Sequence, residues 1–267
     1  MREIKSNKKN PIRKIFIKIC RIFGFEIIDQ SNFSIPTSEK SINESISVPG
    51  KRSITLPLGK TEITRPIKSL DIILRTCMSV NMLTQSKKRM FEQNKDEYTR
   101  RCLISIIKSV NIAKDIFKNI KFKIFIIDHG STDRQINVLK EILKDSNINF
   151  EFQKLRLEEF ENQIKNINEE NKAVSPNQKS NMSNIHQSII LSKKISEDLI
   201  YFVEDDYIHE KESISEILYT YEKISSLMNQ ELIICPSDYP YLYTGTDSTK
   251  IFLGEKRHWR KIDQTLC

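Results

Sequence analysis

Three acids follow one another at the end of an apolar run in LIYFVEDD, residues 199–206: Glu204, Asp205 and Asp206. Like charges crowded at the edge of a low-dielectric core repel one another unless a cation or donor groups compensate. A hard divalent cation accepts carboxylate oxygens readily, so this is one compensator to consider. A solvated turn at a strand end is the plainer alternative. Upstream, a second apolar run, FKIFII, leads directly into DHGSTD. Asp128 stands at its tip, Gly130 suits a tight turn, and Ser131 and Thr132 precede Asp133, which is expected to cap a following helix. Between the two acidic ends, KSNMSN (179–184) opens another helix, with Lys179 and Asn184 at its limits.

The elements that must position these residues follow from periodicity. Leu70 to Leu74, Phe122 to Ile127, Asn149 to Phe152, Leu199 to Val203 and Glu231 to Cys235 read as strands. The longer ones are nearly all apolar, as strands covered on both faces are. Between them, Tyr98, Cys102, Ile106, Ile107 and Val110 share one helical face. Ile136, Leu139, Ile142 and Leu143 share a second, and Ile214, Ile217, Leu218, Tyr221, Ile224 and Met228 a third. Strands alternating with helices predict an α/β fold with a mostly parallel, Rossmann-like sheet flanked by helices. Its ligands would bind at the carboxyl ends of the strands, where the acids lie.

The 267-residue chain has a net charge of +8, and that charge is concentrated at one end. Up to residue 25 the bases Arg2, Lys5, Lys8, Lys9, Arg13, Lys14, Lys18 and Arg21 face one acid, Glu3. A nucleic-acid protein would spread its bases over a folded face, so this pattern argues against that class. Ile12, Ile15, Phe16, Ile19, Ile22 and Phe23 recur at helical steps within the arm. An amphipathic basic helix lying in an anionic membrane surface is one reading, and a helix packed on its own domain is the other. The interleaved bases exclude a spanning segment.

Residues 29–53, rich in Ser, Asn and Pro, read as a linker, and SITLPLGKTEIT (53–64) as a short hairpin with Pro57 confining it to an edge. The division expected is 1–67 for arm, linker and hairpin, and 68–267 for the α/β domain. Cys20, Cys77, Cys102, Cys235 and Cys267 form no C-x-x-C pair, and the four histidines never fall at i, i+4. Neither a disulfide framework nor a zinc site is suggested, which fits a reducing cytoplasm. Few glycines with abundant Ile, Lys and Asn suit an AT-rich bacterial genome.

The succession LDIILRTC, IFIIDHGSTD, KSNMSNIHQSI and LIYFVEDD resembles the GT-A glycosyltransferases, family 2 above all, over roughly residues 68–210. That family typically reads V-S-I-I-I-P-T-Y-N, I-I-V-V-D-D-G-S-T-D, G-K-x-x-A-R-N-x-G-I and F-L-D-x-D-D. The resemblance implies that Arg75 and Thr76, ending the first strand, meet the nucleotide, and that Asp128 hydrogen-bonds the base. Lys179 and Asn184 fall on the Lys and Asn of the third motif. Glu204 and Asp205 would face the donor, and Asp206 would ligate Mg2+ or Mn2+. This chain departs from the pattern at His129, at LRTCMSVN and at Ser183.

Downstream, Asp238 is the candidate general base, with Tyr239, Tyr241 and Tyr243 beside it in sequence as candidates for an acceptor pocket. A strand-end turn is the other reading of Asp238. Some GT-A enzymes complete the metal shell with a late histidine, for which His258 is the candidate, with Arg257 and Arg260 near the diphosphate. His186 and His209 read as surface or packing residues. The chain stops at DQTLC in patterned sequence where family members often continue, which leaves a fragment of a longer protein open.

The implied function is metal-dependent transfer of a sugar from a nucleotide-sugar donor to an envelope glycan or a lipid-linked acceptor. It would take place at the cytoplasmic face of a bacterial membrane held through residues 1–25. A nucleotidyltransferase of related fold and a non-catalytic nucleotide-sugar-binding module are the rivals. The catalytic reading expects Asp128, Glu204 and Asp206 to meet around one crevice.

Overall fold

The computed structural model describes residues 11–23, 25, 62–79, 93–164, 166–167, 173–237 and 251–261. In chain order the elements are α1 (Pro11–Ile22), β1 (Ser69–Thr76), α2 (Lys95–Ile116), β2 (Lys121–Asp128), α3 (Asp133–Lys144) and β3 (Asn149–Lys154). There follow the short α4 (Leu157–Phe160), α5 (Pro176–Ile195), β4 (Leu199–Glu204), α6 (Ser213–Met228), β5 (Ile251–Leu253) and β6 (His258–Arg260). Two compact units are formed, one of residues 63–226 and one of 1–62 with 227–267.

In the unit 63–226, four of the five apolar runs are strands, in a sheet of order β3-β2-β1-β4. All neighbours are parallel. The central pair, β1 and β2, is buried almost throughout, while β3 and the edge strand β4 are half-buried. The chain moves outward from β1 to β3 through α2 and α3, then returns past two strands through α5 to β4. Crossovers to parallel strands are right-handed, so reversing the direction of travel moves the connecting helix to the opposite face. Leu191 of α5 accordingly packs with Ile73, Phe125 and Ile127. The alternate residues Ile72, Leu74, Ile124 and Ile126 face the other way and are fully buried, as are Leu103 and Ile106 of α2 and Leu139 and Leu143 of α3. Each such side chain contributes about 1.5–3 kcal/mol through removal from water.

Local signals set the helix starts. Thr132 accepts from the Gln135 backbone N–H while the Gln135 side chain reaches back, closing a capping box on α3. The cap is therefore Thr132 and not Asp133, which is the first helical residue and places its charge at the positive end of the helix. Gly130 sits at φ +73°, the left-handed conformation this strand-to-helix corner needs. Ser175 and Gln178 close a second box on α5, with Pro176 in the first turn, so this helix begins at Pro176 and not at the Lys179 expected to open it, because the cap and the proline precede KSNMSN.

The run Glu231 to Cys235 is not a strand: 231–237 has no regular structure and Ile233 is 92% exposed. An apolar run of five residues becomes a strand only when a ladder partner satisfies its backbone, and none pairs with it among the described residues. The hairpin expected over 53–64 lies almost wholly outside the described residues. The unit 63–226 opens with an irregular segment that leads into β1. Asp198 accepts from Arg65 Nη2 and Lys68 N, both at 2.7 Å, and Glu222 from Ile67 N at 2.8 Å. In the other unit, β5 and β6 form an antiparallel pair that sets Phe252 opposite Trp259.

Candidate functional site

The strand order alone singles out one place. Between β1 and β4 the connections diverge to opposite faces, and in open α/β sheets ligands bind in the crevice outside the carboxyl ends of the strands at such a switch point. Here those ends carry Arg75, Thr76, Glu204, Asp205 and Asp206.

The pleat sorts these residues by face. Arg75 is in register with Ile127 and Glu204, so the three share the face covered by α5; Thr76 is in register with Asp128, on the opposite face. On the α5 face, Arg75 Nη2 donates to Glu204 Oε1 at 2.5 Å, and Nη1 to Asn181 Oδ1 at 3.0 Å. On the other, Asp128 accepts from Thr76 Oγ1 at 2.7 Å, Ser131 Oγ at 2.6 Å and Ser131 N at 3.2 Å. Asp128 is buried, and these donors make it the anchor of the DHGST corner. Glu204 and Asp128 thus stand at one edge of the sheet but leave it on opposite faces, and the three acids expected to converge do not form a single cluster.

Asp205 is buried as well. It accepts from Lys95 Nζ at 2.5 Å, Thr99 Oγ1 at 2.7 Å and Cys77 N at 3.2 Å, tying the start of α2 and the loop after β1 to the end of β4. Donor groups, one of them charged, therefore compensate the middle acid of the triplet, and it is a structural residue. Asp206, half-buried, lies in the same turn beyond β4 as Asp205. Cys102 donates from Sγ to the Glu204 carbonyl at 3.5 Å. Burial first, then the nearby Asp205 and Asp206 charges, push its thiol far above the ordinary range, so it is no nucleophile.

Asn184 does not reach the crevice. It is buried between α5 and β2, donating from Nδ2 to the Ile127 carbonyl at 3.2 Å. Lys179 lies half-buried in the opening turns of α5, close in sequence to Asn181. His129 Nδ1 and Ser180 Oγ, 2.6 Å apart, join the β2 corner to α5. His258, exposed on β6, belongs to the other unit. Asp238, Tyr239, Tyr241 and Tyr243 lie outside the described residues.

Sequence reasoning missed Asn181 and Lys95. Asn181 sits inside the quoted KSNMSN, but only the fold sets it against Arg75. Lys95 left a signal: a lysine in the first turn of a helix opposes the helix dipole, which suggests a partner elsewhere.

His186 packs edge-on against Phe160, ring centroids 5.0 Å apart. His209 is a packing residue too, its Nε2 2.9 Å from the Tyr201 hydroxyl and its Nδ1 3.5 Å from Ser105 Oγ. Burial lowers its pKa from 6.5 to about 4. Between those values the unfolded chain binds the proton that the folded one refuses, so His209 makes folding stability rise with pH. Its contribution is complete above pH 6.5 and is lost as pH falls toward 4. At full effect it amounts to about 3 kcal/mol. Urea midpoints across this window should flatten in His209→Phe; a profile parallel to the parent would refute the assignment.

Among the described residues, no group of three or more His, Cys, Asp and Glu side chains could hold a metal ion. A preformed all-protein cage is therefore not built from them. A Mg2+-like ion needs only one or two carboxylates when substrate phosphates and water complete its shell, and Asp206, with Glu204 beside it, fits that smaller role. No protein-family model, curated protein or solved structure matches the chain.

Proposed function

We propose that this chain is a metal-dependent glycosyltransferase that moves a sugar from a nucleotide-diphosphate sugar to an envelope glycan or glycolipid acceptor, as a peripheral protein of the cytoplasmic membrane face. The observation that carries the reading is the switch point. A parallel sheet of order β3-β2-β1-β4 sets an arginine, Arg75, beside an acidic triplet at the one edge where such folds take nucleotides.

The proposed roles draw on the geometry and on the resemblance. Arg75 is the cation at the crevice suited to a diphosphate, because its planar fork matches phosphate oxygens, and Asn181 holds its other nitrogen in place. Asp206 would hold Mg2+ or Mn2+ together with the donor phosphates, and Glu204 can take a donor hydroxyl once Arg75 turns to phosphate. The bound cation would neutralise charge developing on the departing nucleoside diphosphate. Asp128, Thr76 and Ser131 shape the floor, and Asp205 fixes the height of the β4 tip. Asp238 and His258 stay expectations of the resemblance alone, because Asp238 lies outside the described residues and His258 belongs to the other unit.

For the membrane, support comes from the basic arm and from α1, whose Ile15, Phe16, Ile19 and Ile22 are exposed. No helix of the described residues is long and apolar enough to cross a membrane. A binding module without turnover is the second reading, favoured by the engagement of Asp128, Glu204 and Asp205 with the chain's own donors.

A thermal-shift panel of nucleotide sugars with Mn2+, repeated after chelation and followed by a turnover assay on the best hit, separates the two. The enzyme reading expects chelation-sensitive stabilisation and release of nucleoside diphosphate. Stabilisation that ignores the chelator, with no release, would move the assignment to the module; no stabilisation by any donor would remove both.

A further inference from the structure

Helix α5 is built inside out. A helix lying on a sheet normally turns its apolar stripe inward. Here the inward face carries Ser180, Ser183, Asn184, Gln187 and Ser188, all buried, with Leu191 the one large buried hydrophobe of the helix. Ser183 Oγ and Asn184 Oδ1 have no hydrogen-bond partner there. The outward face carries Met182, Ile185, Ile189 and Ile190, exposed by 44%, 38%, 44% and 41%. Phe202 of the edge strand β4, on the same side of the sheet, adds another exposed apolar side chain at 47%. Burial has been arranged against the hydrophobic effect, which makes sense only if something apolar covers the outward stripe.

The charges on α5 identify what covers it. The helix contains no aspartate or glutamate, and its charged residues are Lys179 near the start and Lys193 and Lys194 in the last turn. A second copy paired antiparallel would bring Lys193 and Lys194 to the positive N-terminal end of its mate, and a parallel pair would set lysines on lysines. Both arrangements are repulsive. An anionic bilayer offers an acyl boundary for the isoleucines and methionine and headgroup phosphates for the lysines at either end.

We propose that the outward face of α5 is a second membrane contact, distinct in sequence from the basic arm, which lies in the surface of an anionic bilayer. The proposal rests on the peripheral-membrane part of the reading above, but not on the nucleotide site.

The test is co-sedimentation of the full chain with vesicles of equimolar phosphatidylcholine and phosphatidylserine. Three variants are compared with the parent: Ile185→Ser/Ile189→Ser, Lys193→Gln/Lys194→Gln, and an arm variant with Ile15→Ser, Phe16→Ser and Ile19→Ser. The arm variant should still pellet, and adding either α5 pair to it should weaken pelleting by roughly tenfold, with no response on pure phosphatidylcholine. Unchanged pelleting in the combined variants would overturn the proposal, as would complete loss from the arm variant alone. So would a dimer in sedimentation velocity that Ile185→Ser/Ile189→Ser dissolves, which would give the stripe to a second copy. A large fall in melting temperature for that pair without a change in pelleting would mean the stripe is covered from within the chain. The lysine pair, at exposed sites, keeps the test open should the serine pair fail to fold. Donor binding, followed by thermal shift in every variant, should not move, so failure here and failure of the glycosyltransferase reading are told apart.

Discussion

Asp205→Ala should destabilise the unit 63–226 by about 3–5 kcal/mol, the cost of breaking a buried ion pair by removing one partner. The carboxylate is the single acceptor on which Lys95 Nζ, Thr99 Oγ1 and Cys77 N converge. Lys95 and Asp205 keep only 15% and 8% of their side-chain surface in contact with solvent, so water replaces the lost acceptor poorly. The alanine variant leaves an ammonium buried without its carboxylate, and that desolvated charge carries most of the cost, since the Thr99 hydroxyl keeps the Lys95 carbonyl as an acceptor at 3.1 Å. Urea unfolding with an unchanged slope is the measurement. Lys95→Met/Asp205→Leu should recover much of the loss, because an apolar pair of similar volume carries no uncompensated charge. A fall below about 1 kcal/mol for Asp205→Ala would show that the pair is solvated and not a structural bolt.

One residue further on the expectation reverses. Asp206→Ala should leave a cooperative urea transition in place while lowering Mn2+-dependent donor turnover by roughly 10²–10³-fold, the scale on which loss of one preorganised charge-stabilising group acts. The adjacent acids share the turn just beyond β4 but differ in burial: Asp205 is buried against Lys95 and Thr99 of α2, whereas Asp206 is only half-buried. Turnover in Asp206→Ala equal to the parent, at saturating donor and the same Mn2+, would remove the metal role from this position. Arg75→Lys offers a comparison within the same assay: it keeps the charge but loses the fork that holds Asn181 and Glu204 together, so donor affinity should suffer more than the rate.

The sheet was legible in the sequence because both faces of its central strands are covered. Continuous runs such as LDIIL and FKIFII have few other uses in a domain of this length. The DHGSTD corner was legible for a different reason, since the left-handed Gly130 of its turn is a local requirement, although the cap fell to Thr132 and not to Asp133. ELIIC was misread because periodicity cannot say whether a short apolar segment will find a ladder partner. The site was only half legible. Three acids in a row said that charge is concentrated at one strand end. Which of them is neutralised by a lysine 110 positions away could not be read from spacing.

By itself, then, the sequence determined the strands of the parallel sheet, the helices between them and the edge of the sheet where the acids gather, because apolar runs and turns are decided within a few residues. Only the tertiary structure decided the order β3-β2-β1-β4, the opposite faces taken by Asp128 and Glu204, the burial of Asp205 and the outward apolar face of α5. Those depend on strand register and crossover direction, and a pleat turns a shift of one residue into a change of face.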